Sequence, residues 1–333
     1  MMARGEEKME NKNNSISRLL SRGNGIFVSI IILGIFLIVA AVAVPNVFQP
    51  TNLANVLRVN SPAGIMAIGL ALVLLTGEID ISVGAVMSLS VMVISKIVDY
   101  SEPLSILAML GVGAACGFLN GWIVARIRVP SLMVTIGTMS IYSGLACIIT
   151  NAQAKFMTTA YPIYTTMSKG DLGGIPVTFI LCVVLALLFW VITTKTKFGK
   201  DIYYTGANKR AAWMSGIRID RVKIIVFMIC GILAALAAPL ITTQIGRSNA
   251  DAGTGQEVTA IAIAVLGGVS LDGGRGSILG VLCGMVTMGV LMNMLALSGL
   301  GTYVEMAIKG ILIIAVVFIY GLVNRKTGVL KEA

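Results

Sequence analysis

Residues 193–241 read TTKTKFGKDIYYTGANKRAAWMSGIRIDRVKIIVFMICGILAALAAPLI. The second part of this stretch, 224–241, is an apolar segment of the length that crosses a bilayer. The first part, 193–223, is polar and carries eight Lys or Arg against two Asp. A basic stretch of this size is too long for a simple turn between two membrane spans. The pattern therefore predicts a membrane protein with one large basic loop.

The composition of the whole chain agrees with a membrane protein. Of its 333 residues, 57% are hydrophobic and 12% are charged, whereas a soluble domain typically carries about 25% charged residues. This much apolar surface cannot be buried around one water-soluble core. The formal net charge of +10 is then better explained by basic loops on the cytosolic side than by nucleic-acid binding.

Ten apolar segments are predicted to be transmembrane helices, so the fold class is all-α and polytopic. A single transmembrane domain would cover 26–320, with tails at 1–25 and 321–333 and the basic loop at 194–223. The predicted spans are 26–44, 61–75, 83–98, 104–125, 133–149, 177–193, 224–241, 258–269, 278–296 and 303–320.

The distribution of basic residues predicts the orientation of these spans. With ten spans and both termini in the cytosol, 19 of the 25 Lys and Arg residues fall in the tails and in the cytosolic loops. The reversed orientation would place most of the positive charge outside the cell. The positive-inside rule therefore favours cytosolic termini and a cytosolic 194–223 loop.

A shift of about 163 residues superposes the two halves of the chain in part. It aligns 61–75 with 224–241 and one glycine trio with another, although 83–98 and 258–269 do not match. Five spans per half would make the halves an inverted repeat, an architecture common among transporters. The four-residue spacing predicts that each trio forms a helix-packing face, although so many glycines also produce such spacing by chance. The trios are Gly113, Gly117 and Gly121, and Gly276, Gly280 and Gly284.

Several polar residues near predicted spans could line a translocation path or a gate. Acidic residues close to hydrocarbon are costly and need a reason. The structural alternative is that they cap helices in the turn 76–84, or bond a neighbouring helix. Glu257 is expected at the outer end of a span and in contact with water. The candidates for the path or gate are Glu78, Asp80, Ser82, Asn120 and Asn293.

The sequence argues against an enzyme. It contains no histidine, which removes the usual general base and the commonest metal ligand. Its five cysteines lie in apolar segments without a C-x-x-C motif, so neither a metal site nor a catalytic site is predicted. No segment matches the phosphate-binding G-x-x-x-x-G-K-[ST] pattern. A transporter of this kind would need no cofactor of its own and would take its energy from a partner.

The basic loop contains turn residues and a short predicted helix. Gly206 and Asn208 are expected in turns, Lys209–Ser215 is compatible with a helix, and Gly216 suits its C-terminal end. Such a helix could dock into a groove of a cytosolic protein. The alternative is an anchor to anionic lipid headgroups.

The order of residues in the loop resembles a known family. Residues 198–217 resemble the F-G-x-x-I-x-x-x-G-x-N-x-x-A-A-x-x-S-G-I pattern of the ribose-type sugar permeases of bacterial ATP-binding-cassette importers. The run 52–57 resembles their N-L-x-N-x-L segment, and 76–84 resembles their G-x-D-L-S-V-G turn, with Ile81 in place of Leu. The run 260–276 resembles their A-I-A-x-x-V-L-G-G-x-S-L-x-G-G-x-G segment.

This resemblance implies a permease subunit in a bacterial plasma membrane. Its partners would be cytosolic ATPase subunits that hold ATP and Mg²⁺, an extracytoplasmic sugar-binding protein and a second permease subunit. The alternatives are a branched-chain amino-acid permease of the same superfamily and a stand-alone ion-coupled carrier. The residues expected to dock on the ATPase are Gly206, Asn208, Lys209, Arg210, Ala211, Ala212, Gly216 and Ile217.

Overall fold

The structure is a computed structural model of the chain. Residues 1–24 of the predicted tail 1–25, the predicted tail 321–333 and much of the predicted span 303–320 lie outside the described residues. The structure describes residues 25–43, 47–151, 153–156, 161–299, 301, 303–305, 307–311, 314 and 318.

The described chain is predominantly helical. A π-helical turn, Ile123–Ile127, continues the helix Glu102–Trp122. Two short antiparallel ladders pair Lys155–Phe156 with Arg247–Ser248 and Asp171–Leu172 with Ile175–Pro176. The strands are β1 Lys155–Phe156, β2 Asp171–Leu172, β3 Ile175–Pro176 and β4 Arg247–Ser248. The helices are α1 Gly25–Ala43, α2 Pro50–Leu75, α3 Val83–Ile97, α4 Glu102–Trp122, α5 Ser131–Thr150, α6 Pro162–Lys169, α7 Val177–Lys195, α8 Lys197–Ala207, α9 Lys209–Met214, α10 Ile219–Ile245, α11 Gln256–Leu266 and α12 Ile278–Leu297.

Six of the described helices are long and apolar enough to cross a membrane: α2, α4 with its π turn, α5, α7, α10 and α12. The apolar part of α1, together with α3 and α11, is shorter. The predicted start of the second span at 61 is wrong, because the helix already begins at Pro50. Polar residues such as Asn52 and Arg58 lower the hydropathy of its first turns, but a proline at the first position favours a helix start.

The core is built around α2 and α10, which run antiparallel. Every residue of α2 from Ser61 to Leu75 is buried, and α2 packs against α7, α10, α11 and α12. At one end of the pair, Gln244 donates a 3.0 Å hydrogen bond to the carbonyl oxygen of Arg58. At the other end, Lys223 lies close to the turn that follows Leu75. We call this second end, which also carries α8 and α9, the basic end.

Glycines let α4 approach the backbone of α10 closely. A Cβ atom at Gly113 would lie 2.4 Å from the carbonyl oxygen of Gly231, and one at Gly117 would lie 2.2 Å from that of Phe227. At Gly121 the nearest atom would be the Cα of Ile224, at 2.8 Å. Contacts this short leave room for hydrogen only, so these three positions of α4 require glycine.

The second glycine trio is arranged differently. Gly280 and Gly284 lie on α12 against α11, where added Cβ atoms would approach the carbonyl oxygens of Gly267 and Ile263 to 2.1 Å each. The prediction that Gly276 shares this helix face is wrong. Gly276 precedes the helix and has φ +141, because the chain must turn before α12 begins at Ile278.

The end of the bundle opposite the basic end is closed by α6 and the short strands. Tyr164 and Ser168 of α6 are buried, and the Ser168 hydroxyl donates to the carbonyl oxygen of Leu240 at 2.9 Å. Arg58 forms a two-bond ion pair with Asp171, at 2.6 and 2.7 Å. These contacts connect the segment between α5 and α7 to both core helices.

Candidate functional site

The basic stretch folds into two consecutive helices, α8 and α9. Thr196 caps α8 by accepting a 3.1 Å hydrogen bond from the Gly199 amide, and Asn208 caps α9 by accepting one of 3.0 Å from the Ala211 amide. Gly216 has φ +78 just after α9 ends, which is a conformation that glycine adopts without a steric cost. The short helix, Asn208 as a connecting residue and the Gly216 stop agree with the sequence pattern.

Gly206 does not lie in a turn, so that prediction is wrong. It is in the last turn of α8, where the side of the helix touches the backbone of other elements. A Cβ atom at Gly206 would lie 2.0 Å from the carbonyl oxygen of Leu75 and 2.5 Å from the amide nitrogen of Gly274. Glycine is needed here for close backbone approach rather than for a positive φ.

Three segments meet at Gly206: the end of α2, the turn 267–276 and the end of α8. Gly274 donates a 2.9 Å hydrogen bond to the carbonyl oxygen of Leu75. Gly273 has φ +87, and a Cβ there would lie 2.7 Å from the amide nitrogen of Gly77. Because backbone atoms are in contact throughout, any added volume at this point must displace α8, α2 or the 267–276 turn. We call this contact the glycine junction.

Glu78 adds an electrostatic connection beside the glycine junction. Its carboxylate accepts from Lys209 of α9 at 2.9 Å and from Lys223 of α10 at 2.6 Å. Burial of the carboxylate raises the pKa of Glu78, but the hydrogen bonds from Lys223 and Lys209 outweigh this effect and leave the pKa below its usual value. Glu78 therefore remains ionised near neutral pH and joins α9 and α10 to the 76–82 turn.

A second polar cluster follows Glu78 in the same turn. Asp80 accepts from the Ser82 amide at 2.8 Å and from the Ser82 hydroxyl at 2.7 Å. Asn120 donates to the Ser82 hydroxyl at 2.8 Å and accepts from the Tyr142 hydroxyl at 3.1 Å. Burial raises the pKa of Asp80 to about 6, while the hydrogen bonds from Ser82 act in the opposite direction. The structure thus brings together three of the candidate path residues, Asp80, Ser82 and Asn120.

Asn293 does not belong to this cluster. It exchanges two amide hydrogen bonds with Asn52, at 2.9 and 3.0 Å. Asn52 is 23 residues before Leu75 in the same helix, a separation of about 34 Å along the helix axis. Asn293 therefore connects α12 to the start of α2 at the end of the bundle opposite the glycine junction.

The exposed face of α9 contains part of the set expected to dock on an ATPase. Lys209, Arg210 and Ala211 are exposed. Ala212 was expected on the same face, but only 3% of its surface is exposed because it packs within this chain. The pattern A-A could not distinguish the two alanines, since consecutive residues on a helix point about 100° apart. Ala211 is the one that a partner can reach.

Glu257 was not recognised as a buried residue from the sequence. Its surface is only 5% exposed, and the expectation that it is in contact with water is wrong. One carboxylate oxygen, Oε1, accepts from the Gly255 amide at 3.1 Å, whereas Oε2 has no partner among the described residues. Two residues further along α11, the Thr259 hydroxyl accepts from Lys309 at 3.1 Å. The sequence around a single acidic residue in an apolar stretch does not show whether that residue is buried or exposed to water.

Comparison with known proteins identifies the family of the chain. Residues 52–317 match the model of a family described as the permease component of the branched-chain amino acid transport system. The chain belongs to this family of transport permeases. No solved structure matches the permease.

Three relatives cover most of the permease. The ribose import permease of Bacillus subtilis is 36% identical over 86% of this chain and 90% of its own length. The ribose import permease of Escherichia coli K12 is 35% identical over 87% of this chain and 92% of its own length. The D-allose transport system permease of the same strain is 33% identical over 84% of this chain and 87% of its own length.

We expect Gly206→Ala to uncouple the basic-end helices from the bundle. The added methyl group would lie 2.0 Å from the Leu75 oxygen, so α8 must move away from α2. The matched substitution is Gly173→Ala, outside the expected docking set, which meets nothing within 4 Å and carries only the backbone cost of its positive φ, about 1–2 kcal/mol. Uptake by cells containing equal amounts of each variant is the measurement. Equal uptake for the two variants would show that the glycine junction is not needed for transport.

Proposed function

We propose that this permease is the membrane subunit of an ATP-driven, binding-protein-dependent importer that moves a monosaccharide across a bacterial plasma membrane. The ribose and allose permeases among its relatives support the substrate class. Transport permeases of this kind are not enzymes, so ATP hydrolysis takes place in a separate subunit.

The observation that carries this proposal is the backbone contact between α8 and the end of α2. A transport subunit without a nucleotide site needs an element on which a motor protein can act. Helices α8 and α9 form such an element, because they project at the basic end and contact α2, α10 and the 267–276 turn through Gly206 and Glu78. A force applied to α9 would reach the two core helices directly.

The proposed assembly follows from this arrangement. Two cytosolic ATPase subunits would bind ATP and Mg²⁺ and dock on α9, and the permease itself would hold no cofactor. An extracytoplasmic binding protein would deliver the sugar, and a second permease copy or a paired subunit would complete the pore. The docking set is the one predicted from sequence without Ala212, which packs inside the chain.

We also propose ten spans in an inverted 5+5 repeat with both termini in the cytosol. The antiparallel course of α2 and α10 supports the inversion. Each of these helices is followed by a short apolar helix, α3 or α11, and then by a glycine-containing helix, α4 or α12. One cavity at the basic end is lined by four arginines, which support a cytosolic location for that end. They are Arg126, Arg128, Arg218 and Arg221.

Cysteine labelling in intact cells tests this orientation. We expect Asn208→Cys, in a background with the five native cysteines replaced, to resist a membrane-impermeant maleimide and to react after the cells are lysed. Tyr100→Cys is the matched site, because Tyr100 is exposed between α3 and α4 and should react from outside. Labelling of position 208 in intact cells would contradict the proposed orientation and favour the reverse one.

The buried polar cluster of Asp80, Ser82 and Asn120 is proposed as a gate beside the translocation path. Glu78 would lie next to this gate, at the basic end of the bundle. The hydrogen bonds of the cluster connect α4 and α5 to the turn before α3, so a change in the angle of these helices would break them. Glu257, whose Oε2 atom has no partner among the described residues, is an acceptor that a sugar hydroxyl could use. Asn293, at the opposite end, would act at the entrance.

A transport assay decides the substrate class. The permease, produced with its ATPase and binding protein in cells that lack other ribose and leucine importers, should support uptake of labelled ribose or a related monosaccharide but not of leucine. Leucine uptake without sugar uptake would favour the branched-chain amino-acid alternative. The same cells without the ATPase should show no uptake of either compound.

A further inference from the structure

A cavity of about 880 Å³ opens at the basic end of the bundle. It lies between α9, the beginning of α10 and the connection from α4 to α5. Two acidic side chains line it, Glu78 and Asp220. Six basic side chains line it as well: Arg126, Arg128, Lys209, Arg218, Arg221 and Lys223.

The acidic residues do not neutralise the basic ones. Glu78 is shared by the two lysines, as described above, and Asp220 reaches Arg126 only at 3.8 Å. The remaining three arginines, Arg128, Arg218 and Arg221, form no ion pair with any described residue. The guanidinium groups of three arginines around one cavity are suited to the oxygens of a phosphate group, which arginine can bind through two hydrogen bonds at once.

Two helix N-termini reinforce the positive field of the arginines. The α5 helix begins at Ser131 and α10 begins at Ile219, and both residues line the cavity. Neither helix has a side chain that caps its N-terminus. The positive ends of the two helix dipoles therefore favour an anion at this position, and Asp220 in the first turn of α10 offsets part of this effect.

The remaining wall of the cavity is apolar and leads to the outside of the bundle. Val124, Val129 and Leu132 line it. Leu132 is followed on α5 by Met133 and Ile136, which are 68% and 50% exposed. A soluble anion gains no favourable contact from an apolar wall, whereas the acyl chain of a lipid can pack along it. The apolar continuation favours a lipid over a free phosphate.

We propose that this cavity binds the phosphate group of an anionic phospholipid, with Arg128, Arg218 and Arg221 around the phosphate and the acyl chain along α5. With the orientation proposed above, the lipid would come from the inner leaflet. Lys209 and Trp213 of α9 also line the cavity. A bound lipid would consequently stabilise α9 in its position on the bundle, so that lipid composition affects coupling.

Fluorescence of Trp213 tests the proposal at the site itself. Trp122→Phe with Trp190→Phe leaves Trp213, which is 72% exposed, as the only tryptophan of the chain. The full-length variant is reconstituted in phosphatidylcholine that contains a small fraction of phosphatidylglycerol, with brominated acyl chains on one lipid or the other. We expect brominated phosphatidylglycerol to quench Trp213 more strongly than brominated phosphatidylcholine at the same mole fraction.

Substitution of the arginines locates the effect. Arg218→Gln with Arg221→Gln should weaken the apparent affinity for phosphatidylglycerol on the order of tenfold, since each basic residue near a membrane surface contributes a few-fold. Lys195→Gln with Lys200→Gln removes the same charge from the same basic stretch but outside the cavity, and should leave the affinity unchanged. If the double arginine variant does not yield folded protein, Arg221→Gln alone is compared with Lys200→Gln.

Three results would overturn the proposal. Equal quenching by the two brominated lipids would exclude a headgroup preference. Loss of quenching on addition of millimolar inorganic phosphate would assign the cavity to a soluble anion. Unchanged lipid affinity in the arginine variants, together with weaker co-purification of the ATPase, would assign the arginines to the protein interface instead. The proposed transport function is measured separately by sugar uptake and does not depend on any of these results.

Discussion

Gly117→Leu is expected to prevent the permease from accumulating as a folded protein. A Cβ atom at this position would lie 2.2 Å from the carbonyl oxygen of Phe227 and 2.8 Å from the Cα of Met228. Both are backbone atoms of α10, so no change of rotamer removes the overlap and the two helices must separate. Overpacking of a core costs about 1–3 kcal/mol even where side chains can adjust, and we expect a larger loss of stability here.

The matched variant is Gly111→Leu on the same helix. Gly111 is exposed, and a Cβ there meets nothing within 4 Å. We expect this variant to match the wild type in the yield of monodisperse protein in detergent and in its apparent melting temperature. Leucine has a higher helix propensity than glycine, so a loss of folded protein in Gly117→Leu cannot be attributed to propensity. If the two leucine variants behave alike, the close approach of α4 and α10 is not important for folding.

The spans were largely predictable because lipid imposes a simple requirement on sequence. A helix that crosses hydrocarbon needs a long apolar run, and such runs are visible without an alignment. The prediction failed at the start of α2, where Asn52 and Arg58 lower the hydropathy. In the structure these polar groups have protein partners, Asn293 and Asp171. Hydropathy cannot represent a polar residue whose hydrogen bonds are made inside the protein.

The candidate site was predictable as a segment but not as a set of contacts. Its helix, caps and stop follow from local residue preferences, which the sequence contains. The role of Gly206 depends on α2 and the 267–276 turn, which are more than 50 residues distant along the chain. The burial of Ala212 depends on how α9 packs against α8 and α10. The environment of Glu257 likewise depends on how α11 is placed against α3. Such contacts come from tertiary packing, which local patterns do not encode.

Ala211→Glu is expected to abolish ATP-driven uptake while leaving the amount of permease in the membrane unchanged. Ala211 is exposed on α9, so the glutamate causes no overlap within this chain and α9 keeps its cap at Asn208. In the assembled importer the same side chain would be enclosed by the ATPase. An uncompensated charge in a buried interface costs about 3–5 kcal/mol, which weakens docking at least on the order of a hundredfold.

Three measurements separate a docking defect from a folding defect: the amount of permease in membranes, the uptake of labelled sugar, and the stimulation of ATP hydrolysis by the loaded binding protein. Ala211→Glu should change the second and the third only. Ala211→Ser adds a small neutral group at the same place and should retain uptake. Thr194→Glu adds the same charge to an exposed residue at the end of α7 and should also retain uptake. Ala212→Glu places its charge against the interior of the chain and should reduce the amount of permease itself. Full uptake and full stimulation in Ala211→Glu would mean that α9 does not dock on the ATPase. The basic residues of α8 and α9 would then be better explained by attachment of the basic end to anionic lipid.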